Sequence, residues 1–165
     1  TVPVFAADNA GKIGQVLQVV KSDTFSSTAS DTWTDVTSLT LDITPTATSS
    51  KILAMWQVNG ATGSVNYRFQ FRMLRDSTAI GVGDVASDRE RTAFNSQTAY
   101  SNNTNTTQVN TALYLDSPSS TSALTYKVQM KIEGNTMYVN QIGEDTDATG
   151  VGRGASSITL MEVLA

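Results

Sequence analysis

Residues 65–73, VNYRFQFRM, alternate apolar and polar side chains without a break. In an extended chain Val65, Tyr67, Phe69, Phe71 and Met73 share one side, and Asn66, Arg68, Gln70 and Arg72 share the other. A helix would scatter these side chains around its circumference, so the period of two predicts a β-strand with one buried face. Residues 124–132 (LTYKVQMKI) repeat the pattern, and Leu39, Leu41 and Ile43 alternate with Thr40, Asp42 and Thr44. A second kind of segment is apolar almost throughout: 52–58 (ILAMWQV), 16–20 (VLQVV) and 158–164 (ITLMEVL). Runs like these sit between two layers, or between a sheet and a neighbouring subunit. Sandwich-core strands with imperfect patterning read equally well.

Turn-forming residues separate the strands at short intervals: Ser49-Ser50, residues 59–63 (NGATG), 75–77 (RDS), 116–120 (DSPSS), 133–135 (EGN) and Thr149-Gly150. Short strands punctuated in this way predict an all-β fold, an antiparallel β-sandwich or jelly roll. No stretch of ten residues carries helical periodicity. Residues 1–12 read as an N-terminal arm or linker, and residues 13–165 as one β-sandwich domain. Residues 98–110 (TAYSNNTNTTQVN) and 143–154 (GEDTDATGVGRG) are polar and unpatterned, as long exposed loops are.

The chain has neither cysteine nor histidine. This excludes disulfides, thiolate metal sites, imidazole-bound zinc and histidine-dependent nucleophiles. Charged residues make up only 16% of the 165 positions and the net charge is −4. Solubility therefore rests on neutral Ser, Thr and Asn side chains, a surface that suits secreted or virion-exposed β proteins. An acidic chain without a basic stripe predicts no nucleic-acid partner. No run of about 18 apolar residues predicts a membrane span, and the opening residues lack the charged and apolar regions of a signal peptide. The chain starts at Thr1 rather than Met, which fits either trimming ahead of a small residue or a segment of a longer chain.

With histidine absent, chemistry would fall to carboxylates. Asp84, Asp88 and Glu90 group in one loop, and Glu144, Asp145 and Asp147 in another. Two carboxylates at the right separation suffice for glycoside hydrolysis, but acids clustered in polar loops are ordinarily solvated, and the expectation is no enzyme. Asp145-x-Asp147-x-Thr149 opens like a calcium loop, with Gly150 sixth, yet Ser156 stands where a bidentate Glu belongs. The plain reading is an acidic turn. Gly81-Val82-Gly83 is too short to cradle phosphate and suits a bulge or tight turn. Nothing predicts a cofactor.

Trp33 and Tyr100 stand among polar neighbours, where a large aromatic need not be core. Each could stack on a sugar ring while Asn102, Asn103 and Asn105 hydrogen-bond its hydroxyls. Alternatively each packs over a sandwich edge with its N–H or O–H reaching water. Trp56, inside an apolar run, is predicted to be core.

Several segments resemble recurring stretches of phage tail-fibre-type proteins: 11–20 (GKIGQVLQVV), 71–84 (FRMLRDSTAIGVGD) and 156–163 (SSITLMEV), with 116–118 (DSP) and 125–129 (TYKVQ). The resemblance covers the chain from about Gly11 onward and lies in strand and turn wording. It implies a homotrimeric jelly-roll knob on a fibre, exposed on the virion beside other virion structural proteins. Such a knob binds the host surface, through a glycan or an outer-membrane protein. Candidate receptor-binding residues are Tyr100, Asn102, Asn103, Asn105 and Trp33. A capsid decoration, head-fibre or structural tail protein without receptor binding is the alternative.

Overall fold

A computed structural model describes residues 11–64, 67–97 and 106–165. Among them are eleven strands and no helix: β1 (Ile13–Lys21), β2 (Phe25–Ser27), β3 (Thr34–Ile43), β4 (Lys51–Thr62), β5 (Arg68–Arg75), β6 (Thr78–Ile80), β7 (Phe94–Gln97), β8 (Gln108–Asp116), β9 (Leu124–Ile132), β10 (Met137–Val139) and β11 (Ser156–Val163). All strand pairs are antiparallel.

The strands form two sheets. In sheet A, β4 is flanked on one side by β8 and on the other by β11, with β1 outside β11 and the short β10–β2 pair continuing past the end of β11. In sheet B the order is β3-β9-β5, and the far flank of β5 is shared by β7 and β6. Numbered along the chain, the eight main strands (β1, β3, β4, β5, β7, β8, β9, β11) run first-eighth-third-sixth in one sheet and second-seventh-fourth-fifth in the other. This is the double Greek key of a jelly roll.

The core lies between the sheets. Sheet A contributes Ile52, Ala54, Trp56, Val58, Ile158 and Leu160; sheet B contributes Phe69, Phe71, Met73, Tyr126, Val128 and Met130. Phe71 meets Trp56 across the sandwich and Phe69 edge-on within its own strand, both at 6.0 Å between ring centroids, the offset geometry that aromatic quadrupoles favour. Gly60 in β4 faces this cluster: a Cβ there would come within 2.9 Å of the Phe71 ring.

β9 has the bounds its alternation predicts. The strand expected over 65–73 is β5, which runs to Arg75 and turns through Asp76, at φ 53°, into β6. Phe69, Phe71 and Met73 are buried as expected, Tyr67 is more than one third exposed, and Val65 lies outside the described residues. In β3 the register against β9 slips between Asp35 and Thr40, with Ser38 at φ 66°. That bulge carries both Val36 and Leu39 into the core, which strict alternation cannot do.

The near-continuous apolar runs are buried on one face only within a single chain. In β4, Ile52, Ala54, Trp56 and Val58 point inward while Leu53 and Met55 are half-buried on the outside. In β1, Val16 and Val20 are 53% and 56% exposed. No second layer of this chain covers that face among the described residues.

Candidate functional site

The outer face of sheet B is built from charged and amide side chains. Alternation turns Lys127, Gln129 and Lys131 of β9 outward between Asp35 of β3 and Arg72 of β5. One row crosses three strands: Arg72 Nε donates to Gln129 Oε1 at 2.9 Å, and Gln129 Nε2 donates to Asp35 Oδ1 at 2.6 Å. Lys127 Nζ donates to the other Asp35 oxygen at 2.7 Å. Burial disfavours the Asp35 carboxylate, yet the bonds from Lys127 and Gln129 outweigh it and hold its pKa below the usual aspartate value.

Trp33, just before β3, closes over this row. Its ring lies 4.1 Å from the Arg72 guanidinium carbon, and its indole N–H donates to Glu90 Oε2 at 3.3 Å. Partial burial lowers the Arg72 pKa. Glu90 accepts a second bond from Lys131 Nζ at 2.6 Å; that bond, with help from Trp33, lowers the Glu90 pKa. Trp33 is thus half-buried, with Arg72 against its ring. The Trp33 N–H thus meets a carboxylate where the edge-packing reading placed water.

Beside this cluster the surface dips into a cleft of about 570 Å³. Arg68 and Glu133 form one wall, joined at 2.7 Å, and the Lys131–Glu90 pair forms another. Gln70 lies between them, and its buried Oε1 has no hydrogen-bond partner among the described residues. Arg89 and Asn95 complete the rim. Three acids and three bases line the cleft, so it is polar but close to neutral.

Tyr100, Asn102, Asn103 and Asn105 lie outside the described residues. The described residues on either side are placed: β7 carries Asn95 and Ser96, and Ser96 Oγ donates to Gln108 at the start of β8. The carboxylate groups suggested by the sequence do not assemble. Asp84 and Asp88 are exposed, and only Glu90 of that trio joins a network. Both oxygens of Asp145 accept bonds from Arg153, at 3.0 and 2.8 Å, so a guanidinium occupies the head of the calcium-like sequence. Among the described residues no cluster of three potential metal ligands occurs. Gly81, at φ 59°, ends β6 in the tight turn expected of it.

Two buried networks escape sequence reasoning because each joins distant segments. Asp116 at the end of β8 accepts bonds at 2.7 Å from Arg75 of β5 and from the Tyr126 hydroxyl of β9, tying the sheets together at one end. Burial, then the Asp116 contact, push the Tyr126 pKa far up. Glu162, fully buried in β11, accepts from the Thr46 N–H at 2.6 Å, the Thr46 hydroxyl at 2.7 Å and Gln15 Nε2 at 2.8 Å. Burial opposes its charge, but these donors prevail and take its pKa down to about 2.

The outer face of sheet A carries little charge: exposed Lys51, at the start of β4, stands at its margin. Cross-strand register aligns three rows over β1, β11, β4 and β8: Val16, Met161, Leu53 and Leu115; Gln18, Thr159, Met55 and Leu113; Val20, Ser157, Gln57 and Thr111. None of these twelve side chains is ionisable.

The sequence matches no protein-family model and no curated protein. Among solved structures the chain is similar to the infectious bursal disease virus VP2 subviral particle, with a TM-score of 0.45 and 11% identity over 94% of this chain and 39% of that one. A structure of the Gx strain of the same virus gives a TM-score of 0.45 and 11% identity, covering 94% of this chain and 38% of that one. T=1 particles derived from the virus give 0.45 and 12%, covering 94% and 37%. The chain spans less than two fifths of the length of each of these neighbours.

Proposed function

We propose that this chain is a virion structural module that acts by binding and assembly rather than catalysis: the homotrimeric tip of a tail fibre, exposed on the particle, which contacts the host cell surface. The observation that carries this reading is the unlikeness of the two outer faces on one rigid jelly roll. One carries little charge, with seven apolar side chains among the twelve of its three rows, and is suited to burial against sister subunits. The other is polar, with a near-neutral cleft, and is suited to a hydrated partner such as a surface glycan or an outer-membrane protein. Loops and clefts on a rigid β scaffold are where recognition concentrates.

The test is saturable binding of the labelled domain to intact candidate host cells, with and without stripping of surface polysaccharide. Binding that disappears on stripping identifies a glycan, and binding that survives identifies a protein receptor. Absence of binding across a broad host panel, with an intact oligomer, contradicts the recognition role.

One observation favours a second reading, a capsid decoration, head-fibre or structural tail protein. The charges on the outer face of sheet B are largely paired with one another, as on a passive exterior. Immunogold labelling of particles separates the two, since head labelling excludes the tail-fibre position.

A further inference from the structure

We infer that the outer face of sheet A, together with the free edge of β8, is the surface through which copies of this chain pack against one another. The inference rests on the homo-oligomeric reading above and gives it an interface. Three observations lead to it.

The first is extent. The three rows are four strands wide at about 4.8 Å and five residues deep at about 3.4 Å, on the order of 330 Å² before any edge is counted. A standard interface takes about 800 Å² from each partner, so the three rows alone supply about two fifths of it and the edge of β8 adds to them. Seven of the twelve side chains are apolar, and an exposed apolar patch on a soluble protein is often functional.

The second is charge. A chain of net charge −4 repels its own copies, and the twelve side chains of the three rows form a field with no ion to desolvate or repel. Two copies can meet there without burying unpaired charge. An anionic bilayer would repel the acidic chain, and the three rows contain neither a basic residue nor an aromatic one of the kind that interfacial binding uses.

The third is the edge. Beyond β8, sheet A has no further strand among the described residues. Natural edges are blunted by charge, proline or bulges. From Val109 to Leu115 β8 has none of the first two, and its register with β4 is unbroken. It is exposed on both sides, Leu113 by 72% and Tyr114 by 42%. Burial between copies is a way to protect such an edge.

The experiment is light scattering behind size-exclusion chromatography on the full chain and on Leu113→Glu, Val16→Glu and the control Val85→Glu. All three positions are more than half exposed, so the folded chain accommodates each change. Wild type and Val85→Glu should elute as the same oligomer. Leu113→Glu and Val16→Glu should weaken association on the order of 100-fold, as a buried unpaired carboxylate does, with circular dichroism unchanged. Variants as oligomeric as wild type would overturn the assigned surface and leave the homo-oligomeric reading standing. A monomeric wild type would overturn both. If deletion of residues 1–10 then turns that monomer into an oligomer, the chain's own N-terminal segment is the occupant.

Discussion

The two sheets contribute matching inner faces and opposite outer ones. Inward, both present alternating aliphatic and aromatic side chains, and Trp56 of sheet A and Phe71 of sheet B meet in the middle. Outward, sheet B presents a lattice of charges and amides, most of them engaged with a neighbour, while sheet A presents three uncharged rows with Val16, Val20, Leu113 and Leu115 about half exposed or more. The inner faces say how the chain folds; only the outer faces distinguish what each side meets. Polar side chains that satisfy one another tolerate water indefinitely, whereas exposed apolar rows are stable only when something covers them.

The largest expected effect falls on the shared interior and should be blind to the outer faces. Phe71→Ala removes the ring that contacts Trp56 and Phe69 and should destabilise the fold by about 3–5 kcal/mol in urea unfolding. A loss below about 1 kcal/mol would mean that the sheets are not packed through this ring.

Next is acid sensitivity, which should come from the sheet A side. The pKa of Glu162 is depressed in the fold, so its contribution is present above the unfolded value of 4.5 and is lost as pH falls toward about 2. The contribution is up to about 3 kcal/mol. Glu162→Gln should be less stable than wild type at pH 7, and the gap should narrow as pH falls through that window. A gap that does not change with pH would contradict the buried-carboxylate account.

Smaller effects are expected on the outer face of sheet B. Trp33→Ala, which strips the cover from Arg72 and one donor from Glu90, should destabilise by about 1 kcal/mol and raise the Glu90 pKa toward its ordinary value, measurable by NMR titration. Lys127→Ala breaks a partly exposed pair with Asp35 and should cost less than about 1 kcal/mol. A large loss at Lys127 would make this face a source of stability and erase the contrast between the two exteriors.

Much of this contrast can be read in the sequence, though unevenly. The strand at Leu124–Ile132 is legible because each residue's side depends only on its parity. β2 and β10, three residues each, are not: they are strands because β10 pairs both β2 and the end of β4. The bulge at Ser38 is likewise fixed by what Val36 and Leu39 fill. Runs apolar on both faces predict cover on each, from a second layer or a neighbouring subunit, and in the fold one of their faces stays bare among the described residues. At the candidate site, Trp33 and Glu90 are each conspicuous in the sequence, but 57 positions separate them and only the fold joins them. The Arg75–Asp116–Tyr126 network is invisible for the same reason.

The central claim, that sheet A meets other copies while sheet B stays open, is tested most directly by hydroxyl-radical footprinting over a range of protein concentrations. The account predicts that Met55, Met161 and Leu113 become protected as concentration rises, while Trp33 keeps its reactivity. Protection at Trp33, or constant reactivity at all four across the full range, would contradict it.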